Sequence, residues 1–206
     1  MKRIFSAGLI GVAIFSGSAQ AAVLSVSGQM AIIDTPTSVT NASPNSDDNM
    51  LVFNEIQNLV LTADLMIRNA TNTGNVTLTK GTRVSSQMIL LNRVEGNRRL
   101  VRAGAATFDG LILGLVTSTD QLLATDGILG AIGTSYATFR NRGLERGDGM
   151  FSGDDDTLRL SLRVTQPGDW MRVVTVAAVP VPAAGFLLFG ALGGLAALRR
   201  RKALAV

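Results

Sequence analysis

The chain of 206 residues carries 19 Lys and Arg against 15 Asp and Glu, a net charge of +4 that on its own suggests a nucleic-acid partner. Six of the basic residues, Lys2, Arg3, Arg199, Arg200, Arg201 and Lys202, lie in the two ends; 19 less six leaves 13 against all 15 acids in between, so the basic footprint of a nucleic-acid binder is missing. Cysteine and histidine are absent, which excludes disulfides, thiol nucleophiles, cysteine-held zinc, Ser-His-Asp and Cys-His catalysis and histidine bases.

Residues 1–21 read MKRIFSAGLIGVAIFSGSAQA, in which Lys2 and Arg3 precede an apolar stretch and small residues close it. This is the three-part pattern of a secretory signal peptide, with Ala19 and Ala21 marking a cleavage site after Ala21. The interval 22–178 is then the exported part, the size of one ordinary domain and long enough to bury a core.

The first strand expected in that domain is VLSVSGQMAII, followed by DTPTSVTNASPNSDDN over 34–49, which is polar, proline-containing and without periodicity and reads as a long surface loop. Next comes NLVLTADLMI, where Leu59, Leu61, Ala63, Leu65 and Ile67 fall on one side of an extended chain. NVTLTK, RVSSQMILLN, RRLVRA, AATF and LILGLVTS are further strand candidates. STDQLLATDG reads as the one short helix, with Ser118 as its cap, Gln121 three residues on and Gly127 as its terminator. The clearest pattern is TLRLSLRVTQPGDWMRVVTVA. Leu158, Leu160, Leu162 and Val164 alternate with Arg159, Ser161, Arg163 and Thr165, a Pro167-Gly168 turn follows, and a second strand returns from Trp170. Residues 157–177 therefore read as a hairpin. Many short strands joined by Gly, Asn and Asp turns predict an all-β fold, an antiparallel β-sandwich with a jelly-roll-like topology among its variants, together with one short helix, an N-terminal signal helix and a C-terminal transmembrane helix.

The chain closes with VPVPAAGFLLFGALGGLAALRRRKALAV. From Ala183 to Leu198 no side chain is charged or strongly polar. The run makes a helix of roughly 24 Å, a little short of the usual bilayer span unless Val181 and Pro182 contribute. Arg199, Arg200, Arg201 and Lys202 flank it on one end only, which keeps that end cytoplasmic and the domain before it outside. Pro180 and Pro182 disfavour helix upstream and leave an extended, accessible segment at the membrane.

This tail resembles the PEP-CTERM class of bacterial sorting signals, most closely its VPLPA-CTERM variant. Val179, Pro180, Val181, Pro182 and Ala183 occupy the motif, with Val181 where the variant has leucine. The interior pieces GTRVSSQMILLN, ATFDGLILGLV, RGLERGDG and PGDWMRVVT are also similar to secreted PEP-CTERM-type proteins. The resemblance implies a membrane-anchored precursor that an exosortase-type membrane enzyme recognises and cleaves near the motif. The product would be a cell-surface or extracellular-matrix protein with a structural or interaction role linked to exopolysaccharide and biofilm. The domains expected are thus 1–21, 22–178 and 179–206.

Inside the domain the chemistry is sparse. Asp154, Asp155 and Asp156, with Asp148 before them, offer oxygen ligands to calcium, but their spacing matches neither an EF-hand loop nor a glycine-rich nonapeptide repeat, and an acidic turn accounts for them better. Glu145 with Asp148, or Asn54 with Glu55, are candidate acid pairs for glycoside hydrolysis, which needs two carboxyls about 5 to 10 Å apart across a sugar cleft. One Trp and one Tyr provide few stacking platforms. Arg93, Arg98, Arg99 and Arg102 form the densest basic patch, suited to an acidic polysaccharide or to a solvated strand face. No catalytic residue, metal or cofactor is expected. The alternative is a carbohydrate-binding or carbohydrate-cleaving surface module, for which a ligand-sized groove lined by Trp170 or Tyr136 and paired acids would speak.

Overall fold

The computed structural model describes residues 22–94, 98–165 and 168–177, and for 150–154 the backbone alone. In chain order the elements are β1 (Val23–Gly28), β2 (Met30–Ile32), β3 (Ser38–Val39), β4 (Met50–Asn54), β5 (Leu59–Val60), β6 (Leu65–Arg68), β7 (Asn75–Leu78), β8 (Arg83–Leu91), β9 (Leu100–Phe108), β10 (Ile112–Val116), α1 (Thr119–Leu129), β11 (Ser135–Tyr136), β12 (Gly149–Asp154), β13 (Thr157–Val164) and β14 (Asp169–Val176). The described chain is mostly β, built of antiparallel sheets with one helix. The exceptions to antiparallel pairing are β2 on β4 and β11 on β3. All the described residues belong to one unit, Gln20–Ala178, and none of their helices is long and apolar enough to cross a membrane.

One sheet has four strands in the order β1-β9-β13-β12. The larger has eight and runs β2-β4-β8-β14-β10-β6-β7, with β5 on β8. Period-2 patterning decides which residues meet between them. Leu158, Leu160, Leu162 and Val164 of β13 join Ala106 and Phe108 of β9 on one side, and Ile89, Leu91, Met171 and Val173 of β8 and β14 on the other, in a single apolar core. The opposite face of the larger sheet is covered too. Met88, Leu90, Trp170 and Val174 pack there with Leu122 and Leu129 of α1 and Val39 of β3.

This double coverage explains where sequence patterning and structure part. β13 alternates buried and wet as expected, but residues 157–177 are not a hairpin. β13 pairs with β9 and β12, whereas β14 pairs with β8 and β10 in the other sheet. Between Val164 and Asp169 the chain therefore passes from one sheet to the other. Gly168 is needed there because an added Cβ would fall 1.7 Å from Asn92 Oδ1. Similarly, VLSVSGQMAII is two strands in two sheets, turning at Gly28 (φ +69°), where a Cβ would lie 2.7 Å from Ala103 O.

RRLVRA and AATF merge into β9, while NLVLTADLMI breaks into β5 and β6 with Ala63 exposed between them. MLVF, an unbroken apolar run, carries no alternation to mark it as a strand, yet with Asn54 it forms β4, buried on both faces. The 34–49 loop is tied down. Val39 is fully buried, and Asn92 Nδ2 donates to Thr40 O and Pro44 O, both at 2.9 Å. In α1, Ser118 Oγ accepts from Gln121 N at 3.2 Å, so the cap lies where the sequence puts it. Gly127 does not end the helix, which continues to Leu129 and stops at Gly130 because Leu129 is drawn into the core.

Candidate functional site

The greatest concentration of buried charge lies between the larger sheet and its helix layer. Arg172 sits on β14 with Trp170 and Val174, on the face toward α1, and its side chain is fully buried. Its Nε donates to Glu55 Oε2 at 2.5 Å and its second terminal nitrogen to Glu55 Oε1 at 2.8 Å, a two-pronged pairing suited to a planar guanidinium. The same guanidinium reaches Thr125 Oγ1 at 2.8 Å and Asp126 Oδ1 at 3.1 Å, both on α1. Asp126 Oδ1 also accepts from Arg142 at 2.5 Å. The Tyr136 hydroxyl donates to Glu55 Oε1 at 2.6 Å and accepts from Ala131 N at 2.9 Å.

Aromatic rings close the cluster. The Arg142 guanidinium lies 5.0 Å from the Trp170 ring centre and that of Arg172 lies 5.5 Å from Tyr136. Phe139 meets Trp170 edge to face at 5.0 Å. Trp170 Nε1 donates to Asn92 Oδ1 at 2.8 Å.

Two cations here face two anions, and both Glu55 oxygens are engaged. Burial, then the adjoining Glu55 carboxylate, holds the Tyr136 phenol well above its ordinary range. For Arg172, burial opposes the charge, but Glu55 and Asp126 outweigh it and hold the guanidinium more firmly protonated than usual. The arrangement ties β14, α1, β11 and the end of β4 together.

Of the residues singled out in the sequence, Glu145 and Asp148 share one loop, and Arg93 and Arg102 meet at Asp47. Asn54 is an amide whose Oδ1 accepts from Val23 N at 3.1 Å, and Glu55 beside it is engaged by Arg172, so the two form no acid pair. Asp148 caps its own loop, with Oδ2 accepting from Glu145 N and Oδ1 from Arg163 N, each at 2.8 Å. Asp155 and Asp156 form the turn between β12 and β13, and their carbonyls accept from Ile112 N at 2.7 Å and Phe108 N at 2.9 Å. Among the described residues no group of three His, Cys, Asp or Glu is arranged to hold a metal.

Arg93 and Arg102 both turn to Asp47, Arg93 by an ion pair at 3.5 Å and Arg102 by donating Nε to the Asp47 carbonyl at 2.7 Å. A backbone hydrogen bond from Val94, ahead of Arg93 and Arg102, holds the Asp47 carboxyl below its ordinary value. These arginines thus anchor the 34–49 loop. Arg98 and Arg99 remain exposed.

Trp170 is fully buried and Tyr136 is engaged, so neither offers a sugar platform. An open groove of about 360 Å³ lies on the four-stranded sheet, lined by Ser27, Ala103, Gly104, Ala105, Arg159, Leu160 and Ser161, without an aromatic ring or a carboxylate. The motif Val179–Ala183, the flank Arg199–Lys202 and the cleavage residues Ala19 and Ala21 lie outside the described residues.

The Glu55–Arg172 pair escaped sequence reading. Its signal was an arginine set between the apolar Met171 and Val173, and a glutamate two positions after the apolar run Met50 to Phe53. Compared with protein-family models, with curated proteins and with solved structures, the chain matches none.

Proposed function

We propose that the chain is an exported cell-surface or extracellular-matrix protein delivered by an exosortase-type sorting signal over 179–206, with a structural or interaction role linked to exopolysaccharide and not an enzymatic one. The observation that carries this reading is the order of the C-terminal segments: the VPVPA motif, an apolar run and a basic cluster, set opposite an N-terminal leader. The domain supports the non-enzymatic part. Glu55, its buried glutamate, is engaged by Arg172, and its tryptophan and tyrosine are held by the same cluster. We read the two facing sheets as a β-sandwich with α1 as an added layer, and the repeated crossing between sheets as its jelly-roll-like feature.

The reading is tested by following the precursor in cells that carry a matching processing enzyme. Pro180→Ala with Pro182→Ala is expected to leave an inserted but poorly cleaved precursor, because insertion depends on the apolar run. Replacing Arg199, Arg200, Arg201 and Lys202 by Glu is expected to misroute the chain instead. Normal processing of both variants would overturn the proposal.

A further inference from the structure

Residues 142–148 staple the two sheets at one end. Trp170 N of β14 donates to Arg142 O at 2.9 Å, Leu144 N donates to Thr117 O at 2.7 Å, and Arg163 N of β13 donates to Asp148 Oδ1 at 2.8 Å. Asp169, the first residue of β14, lies under this staple. It is only 3% exposed, and its Oδ2 has no hydrogen-bond partner among the described residues. Asp148 and Glu145 belong to this staple, Glu145 N donating to Asp148 Oδ2 at 2.8 Å, and their negative charges act on Asp169.

The cations of the surrounding elements are directed elsewhere. Arg163 of β13 lies against Gly147, with its guanidinium 2.9 Å from where a Cβ would stand. Arg142 turns to Asp126 and Trp170, Arg146 is exposed in the loop, and Arg93 beyond β8 pairs with Asp47. An ionised Asp169 would be buried, uncompensated and repelled by two like charges, each of which disfavours the charged form.

We propose that Asp169 carries a proton in the folded protein at neutral pH and that this proton is a structural part of the staple, whose loss drives Asp148 and Glu145 away and loosens 142–148 from β14. In agreement, the carboxyl is pushed up to about 8, by burial first and then by Asp148 and Glu145. The folded value lies above the ordinary 3.8, so the stabilisation is complete in acid and declines as pH rises from about 4 to about 8.

Trp170 is the only tryptophan in the chain and the neighbour of Asp169, so its fluorescence reads the staple without a label. In the full chain, titrated from about pH 5 to about pH 10, the emission is expected to change with a midpoint near 8, and the melting temperature to fall by several degrees on the way to that midpoint. Asp169→Asn removes the fluorescence step and flattens the melting profile. Glu145→Gln, at an exposed position, moves the midpoint to lower pH while the fold persists. A step that survives Asp169→Asn, a midpoint unmoved in Glu145→Gln, or no step in the unaltered chain overturns the proposal. Recovery of the alkaline melting temperature on adding Ca²⁺ alone does so too, by making the cluster a metal site.

Discussion

β13 and β14 are consecutive eight-residue strands with opposite burial. β13 is buried at every second position, whereas β14 is buried at seven successive positions from Asp169 to Thr175. The difference is architectural. β13 lies in a sheet covered on one face, and β14 in a sheet covered on both. On a half-covered strand polar side chains go to water and need no partner. On a doubly covered strand they must be matched, and Arg172 is matched by Glu55, Asp126 and Thr125.

The largest effect expected from breaking this pattern is on β13 itself. Leu160, 3% exposed and directed into the shared core, becomes a buried unpaired charge in Leu160→Asp, which should cost more than about 4 kcal/mol and prevent stable folding. Arg159→Ser on the wet face should stay within about 0.5 kcal/mol. Equal losses in thermal melts of the two would reverse the assignment of faces.

On β14 the ordering of polar and apolar changes inverts. Arg172→Leu leaves the Glu55 carboxylate buried without its cation and should cost roughly 3 to 5 kcal/mol, while adding Glu55→Leu to the same chain should restore most of it. Denaturant melts that show no rescue would mean the pair is not one unit. The smallest effect sharpens the helix layer. Gly127 is exposed inside α1 with no atom within 4 Å of an added Cβ, so Gly127→Ala should stabilise by about 1 kcal/mol. A loss would restore Gly127 as a helix terminator.

The same contrast explains how much was legible in sequence. In the half-covered sheet β13 announced itself because alternation records a face, and the Ser118 cap because its chemistry is local, whereas β12, over Gly149–Asp154, was not among the expected strands. β4 and the pairing of β14 were not legible, since a run buried on both faces carries no period. Gly168 was recognised as a turn residue, yet its close approach to Asn92 is a long-range fact. The Glu55–Arg172 contact spans 117 positions, and nothing local to either residue names the other.

Because the domain's buried charge is devoted to packing, the functional account depends on the ends of the chain, and it is tested most directly by the mass of the mature surface form. In cells that carry a matching processing enzyme, mass spectrometry of the cell-surface fraction should find a species ending near Val181 to Ala184. An intact C-terminus through Val206 on that surface protein would contradict the sorting reading and leave an ordinary membrane anchor.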